Sequence, residues 1–116
     1  MTWVRSSVRK RSGGEDLPPD TIVALATPPG LGAIAVIRMS GPEAGGILRR
    51  LAPGVGEWED RRVRLATLRD PRADRVIDRA LVTVFSGPGS YTGEDVVEIS
   101  VHGGRLPSQR TLAACQ

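Results

Sequence analysis

The chain has 116 residues, 40% hydrophobic, 25% charged and 3% aromatic, which is the profile of one soluble globular domain and too little chain for two. Its formal charge of +3 comes from Arg5, Arg9, Lys10 and Arg11 near the start, so the remainder is slightly acidic and a basic nucleic-acid surface is not implied. One cysteine, Cys115, excludes an internal disulfide framework and a multi-cysteine metal site.

The opening MTWVRSSVRKRSGG is basic, serine-rich and free of acids and of an apolar signal core. Residues 1–19 are read as a disordered basic extension, although the composition superficially resembles an organelle transit peptide. Order is expected from Asp20, giving one domain over residues 20–116. Thr21–Thr27 reads as a buried strand, PPGLG as a turn and Ala33–Met39 as a second strand. Ser40-Gly41-Pro42-Glu43 has capping-box spacing and predicts a short helix to about Leu51, with Ile47, Leu48 and Leu51 on its apolar face and Pro53-Gly54 as its stop. Strands are expected over Val63–Leu68 and Ala80–Phe85, separated by the Asp70-Pro71 region and Val76-Ile77. A loop over Ser86–Asp95 then leads to a strand over Val96–Val101, where Val97, Ile99 and Val101 alternate with Val96, Glu98, Ser100 and His102. Leu106–Gln116 reads as a helix with Pro107 in its first turn.

Several chemistries fail on residue inventory. The only lysine is Lys10, so there is no P-loop, and this chain is not expected to hydrolyse GTP alone. Gly30-Leu31-Gly32-Ala33-Ile34-Ala35 matches a dinucleotide fingerprint, but a strand rather than a helix is predicted after it. His102-Gly103-Gly104 is similar to an esterase oxyanion stretch, yet there is no nucleophile elbow and no second histidine. The longest uncharged run, Thr21–Ile37, is interrupted by Pro28-Pro29-Gly30 and is too short to span a bilayer. No membrane contact and a cytoplasmic location are therefore expected.

Arg38 stands alone as a charge in an apolar strand, and Glu98 holds the corresponding position in the last strand. Such charges are costly unless they lie at an edge, pair with each other or engage a ligand. The residues leave two readings open: a structural ion pair, or a small-molecule pocket between two strands.

DTIVALATPPGLGAIAVIRMSGPEA (Asp20–Ala44) and FSGPGSYTGEDVVEISVHGG (Phe85–Gly104) closely resemble the N-terminal domain of the MnmE (TrmE) family of tRNA-modification GTPases. The resemblance runs to about Ala114. It implies an α/β (α+β) fold, a mixed β-sheet with flanking helices similar to tetrahydrofolate-binding domains and incomplete at its C-terminus. It implies a cofactor, a reduced folate such as 5-formyl- or methylene-tetrahydrofolate, with the folate-binding arginine falling on Arg38 and the glutamate on Glu98. No catalytic and no metal-binding residue is assigned. The resemblance also implies a homodimer and, through the full-length parent, tRNA wobble-uridine modification with an MnmG-type FAD protein, driven by GTP and dependent on potassium. Leu31 and Ala33 depart from the family's PPGRGG turn, and Pro107 interrupts the helix after HGG. The chain is read as an amino-terminal fragment, without the helical and G domains or a folate-contacting lysine, and Cys115 does not match the family's C-terminal redox cysteine. Two other readings stand beside it: a non-catalytic dimerisation module with an inactive pocket, and an aminomethyltransferase-like folate-binding protein.

Overall fold

Alternating apolar residues in β-branched runs build strands with one buried face, and those runs organise this chain. The computed structural model describes residues 2–5, 21–26, 33–88 and 93–116. Its strands are β1 (Thr2–Arg5), β2 (Ile22–Leu25), β3 (Ile34–Ser40), β4 (Arg64–Asp70), β5 (Arg75–Phe85) and β6 (Val96–His102), with helices α1 (Ala44–Leu51) and α2 (Arg105–Cys115). The six strands form one sheet in the order β1-β2-β3-β6-β5-β4. Its ladders are antiparallel, and a single isolated parallel bridge joins Asp60 to Val84. The expected α/β architecture of a sheet with flanking helices is what the chain adopts.

Both helices pack on the same face. Val23, Ile37, Met39, Leu68, Val82, Val97, Ile99 and Val101 from the strands meet Ile47, Leu48 and Leu51 of α1 and Ala114 and Cys115 of α2 in one core cluster. Full burial of each large aliphatic side chain contributes about 1.5–3 kcal/mol. Cys115 belongs to this core, and burial pushes its thiol up to about 12, so it stays protonated and is not a nucleophile at neutral pH.

The helix ends are held by residues distant in sequence. Ser40 belongs to β3, pairing with Ile22 and Val96, so the expected capping box gives way to the sheet ladder. Glu43 occupies the N-cap position without a side-chain cap. Its own N–H donates to Thr21 Oγ1 at 2.7 Å, which ties the start of α1 to the start of β2. Gly41, at φ 140°, makes the sharp exit from β3 that a side chain would resist. At the end of α2, Arg72 donates to the carbonyls of Ala113 (3.2 Å) and Gln116 (2.7 Å), satisfying acceptors that the helix cannot. Pro107 sits in the first turn, where a missing N–H costs no helical bond.

Three expectations are corrected. Residues 2–5 do not belong to a disordered extension: they form β1, paired with β2 from Thr2 opposite Leu25 to Arg5 opposite Ile22, because the edge of β2 offers a ladder to any extended segment. β5 begins at Arg75 and includes Val76-Ile77, with a bulge in its pairing to β4 near Leu68/Arg69. The bulge absorbs an extra residue, which local alternation does not reveal. The capping box is the third. The rest of the extension (6–20), the PPGLG turn and its dinucleotide-like glycines (27–32), and the loop tip (89–92) lie outside the described residues.

Candidate functional site

The face of the sheet opposite the helices carries the two charges singled out in the sequence. β3 and β6 pair from Ile34 opposite His102 to Ser40 opposite Val96, which sets Arg38 directly across from Glu98. Their side chains are 22% and 32% exposed. Arg38 donates from Nε at 3.1 Å and from Nη2 at 2.7 Å, and both bonds go to Glu98 Oε1. Glu98 Oε2 receives no hydrogen bond among the described residues. The structure thus brings the pair together and leaves one carboxylate oxygen available.

Beside this pair, the same face forms a shallow apolar trough. Ser100, two residues beyond Glu98 on β6, stands between Val36 of β3 and Leu81 of β5. A small residue between two large ones leaves a furrow along β6. The resulting cavity, of about 300 Å³, is lined by Ile34, Leu65, Arg79, Leu81, Ser100 and His102 among others. Ile34, Leu65 and Leu81 are about half exposed or more, an unusual cost for a small domain unless something covers them.

His102 closes the far end. Its backbone N–H donates to Asp78 Oδ2 at 2.8 Å, and its Nδ1 lies 2.8 Å from Asp78 Oδ1. Burial works against the charge of Asp78, but the His102 N–H, the imidazole and the Arg79 N–H outweigh it and hold the carboxyl below its ordinary value. With Nδ1 anchored, the imidazole presents Nε2 outward; the ring is 75% exposed, its partner carboxylate 13%. The Gly103 N–H is engaged by the Ala33 carbonyl at 2.8 Å, so His102-Gly103-Gly104 closes a ladder and is not an open oxyanion cradle.

The trough and the Asp78–His102 contact were not foreseen from the sequence. The signal was present in β5, where Arg79 and Leu81 alternate with the core residues Ala80 and Val82, but the register that sets Leu81 against Ser100 is not local. Among the described residues there is no cluster of three metal-ligating side chains, and no helix is long and apolar enough to cross a membrane. A second cavity of about 350 Å³ lies on the helix side near Leu48, Arg49, Trp58 and Asp95.

Residues 21–116 match the family model described as "GTP-binding protein TrmE N-terminus". The chain is 52% identical over 97 residues to a tRNA modification GTPase MnmE of Chloroflexus aurantiacus, covering 82% of this chain and 21% of that protein. It is 45% identical over 100 residues to the protein of the same name from Heliobacterium modesticaldum, covering 82% and 22%. Against that of Methylobacterium radiotolerans it is 48% identical over 94 residues, covering 81% and 21%. The chain thus spans about a fifth of the length of these curated relatives.

Proposed function

Since the chain belongs to the TrmE N-terminal family, we propose that its own task is to bind a reduced folate on the helix-free face of the sheet, with Arg38 and Glu98 as the head-group contacts. The observation that carries this reading is the half-satisfied carboxylate: Arg38 occupies Oε1 of Glu98, and Oε2 is left to accept from a ligand N–H. A pterin presents an amide N–H and an amino group side by side, the donor pattern that a carboxylate matches. One donor meets Oε2 directly. When Arg38 turns its guanidinium to a ligand carbonyl, Oε1 becomes free for the second.

The same face is the surface through which a second copy pairs with this one. Half-exposed Ile34, Leu65 and Leu81 form the kind of apolar patch that an interface covers. In the whole protein, the domain would serve a cytoplasmic GTPase that modifies the tRNA wobble uridine with an MnmG-type FAD protein. The relatives' name, tRNA modification GTPase, supports that reading. GTP and potassium would act in the parts of such a protein that this chain does not span.

Calorimetric titration with 5-formyltetrahydrofolate tests the head-group assignment. The unmodified chain is expected to bind, and Glu98→Ala to lose at least tenfold in affinity, consistent with hydrogen bonds to a charged group at roughly 1.5–3 kcal/mol. Equal affinity for both proteins would remove Glu98 from the site.

A further inference from the structure

We infer that the second cavity, on the helix side of the sheet, is a socket for an arginine side chain presented by a partner protein. It stands apart from Arg38 and Glu98 and from the face given to a second copy.

The cavity, of about 350 Å³, lies where α1, the segment after it and the start of β6 meet. Its inner part is apolar: Leu48 of α1 and the paired Val84 and Val97 of β5 and β6 line it. Trp58 forms another side and packs against the core. The indole N–H is buried and has no acceptor among the described residues. An unpaired buried donor costs about 1–3 kcal/mol, so packing and not hydrogen bonding holds this ring in place.

The rim carries the charge. Asp95 accepts the Gly87 N–H at Oδ1, 2.9 Å away, and its Oδ2 receives no hydrogen bond among the described residues. Glu57 engages the protein through its backbone carbonyl, which accepts from Arg64 Nη1 at 3.3 Å, while its carboxylate has no partner among the described residues. Against these two anions stands one cation, Arg49, whose guanidinium curls back along α1 to 3.7 Å from the place where a side chain on Gly45 would begin. The residues that line the cavity therefore carry an excess of one negative charge. Arg49, Glu57, Ser86 and Asp95 are all exposed, so a side chain can enter from solvent while its own backbone stays outside.

A guest that fits has an apolar stem, a flat cationic end and several donors. Arginine has three methylenes to lie against Leu48, Val84 and Val97, and a planar guanidinium that stacks on an indole. Its five N–H donors are enough for both carboxylates and the Ser86 hydroxyl. A lysine ammonium is a more strongly hydrated point charge and cannot stack in this way.

The test follows the Trp58 indole N–H by NMR on the isotope-labelled full chain, the signal being identified by its loss in Trp58→Phe. The probe is N-acetyl-arginine methylamide, compared with the matching lysine and glutamate derivatives. The arginine probe is expected to move the signal saturably, the lysine probe to bind more weakly and the glutamate probe to have no effect. Glu57→Gln and Asp95→Asn are each expected to weaken binding about three- to fivefold, as exposed charge pairs do, and Arg49→Gln to strengthen it; circular dichroism checks that the variants fold. No saturable shift, equal affinity for arginine and lysine probes, or unchanged affinity in both carboxylate variants would overturn the socket. If Glu57→Gln abolishes self-association in light scattering, the occupant is a second copy and the partner reading falls.

Discussion

The two faces of this sheet are made from the same strands and have opposite fates. On the helix side, Val97, Ile99 and Val101 are sealed beneath α1 and α2. On the other side the intervening residues, Glu98, Ser100 and His102, are partly or fully accessible and meet an ion pair, a furrow and a histidine clamp. Neighbours in sequence therefore differ in what they do: one set supplies folding free energy, the other set is held in place by it. A side chain on the helix-free face can be changed for recognition at little cost to the fold, because the water it displaces or admits was already near.

Substitutions in adjacent positions sharpen that contrast. The largest effect is expected from Ile99→Ala, which empties a site with no solvent exposure and should cost about 2–5 kcal/mol in urea denaturation followed by circular dichroism. Similar costs for Ile99→Ala and Glu98→Ala would erase the distinction between faces, since an ion pair this accessible is expected to contribute no more than about 1 kcal/mol.

Next comes the clamp at the end of β6. The carboxyl of Asp78 is lowered from its ordinary 3.8 in the folded chain, so the unfolded chain binds the proton more readily. Its contribution is present above that ordinary value and is lost as the pH falls through the lower folded one. Asp78→Asn should be less stable at neutral pH and show a shallower loss of stability below pH 3.8, as read from denaturation midpoints across an acid series. Identical acid profiles would show that the clamp carries no charge-dependent stability.

The smallest effect on folding is expected from Leu81→Asp, within about 0.5 kcal/mol for an exposed position. Light scattering after size exclusion reads its other consequence. The unmodified chain should self-associate at micromolar concentration and the variant should be monomeric. A monomer in both cases would leave the furrow without a second copy as its cover.

Much of this architecture is legible in the chain. Strand alternation places β3, β4 and β6 within a residue or two of their observed ends, and the Ile47, Leu48, Leu51 spacing finds α1, because each of these signals is written within a few consecutive residues. Arg38 and Glu98 stand out by being charges where the pattern is otherwise apolar or alternating. The caps do not follow this logic. Thr21 closes α1 from 22 residues away, and Arg72 closes α2 from 41 and 44 residues away. A hydrogen bond of that kind has no local signature. β1 escaped notice for a related reason: its pairing depends on the open edge of β2 and not on its own composition.

The sequence by itself determined the alternation, and with it which residues of each strand share a face; side chains on successive strand positions can point no other way. It also isolated the charged pair and tied the chain to its family through two long motifs. Only the tertiary structure decided that Arg38 meets Glu98 across sixty residues of chain, that both helices cover one face while Glu98, Ser100 and His102 stay at least partly accessible on the other, and that Ser100 lies in a furrow between Val36 and Leu81. Those facts depend on antiparallel register between distant strands, and register is a property of the assembled sheet.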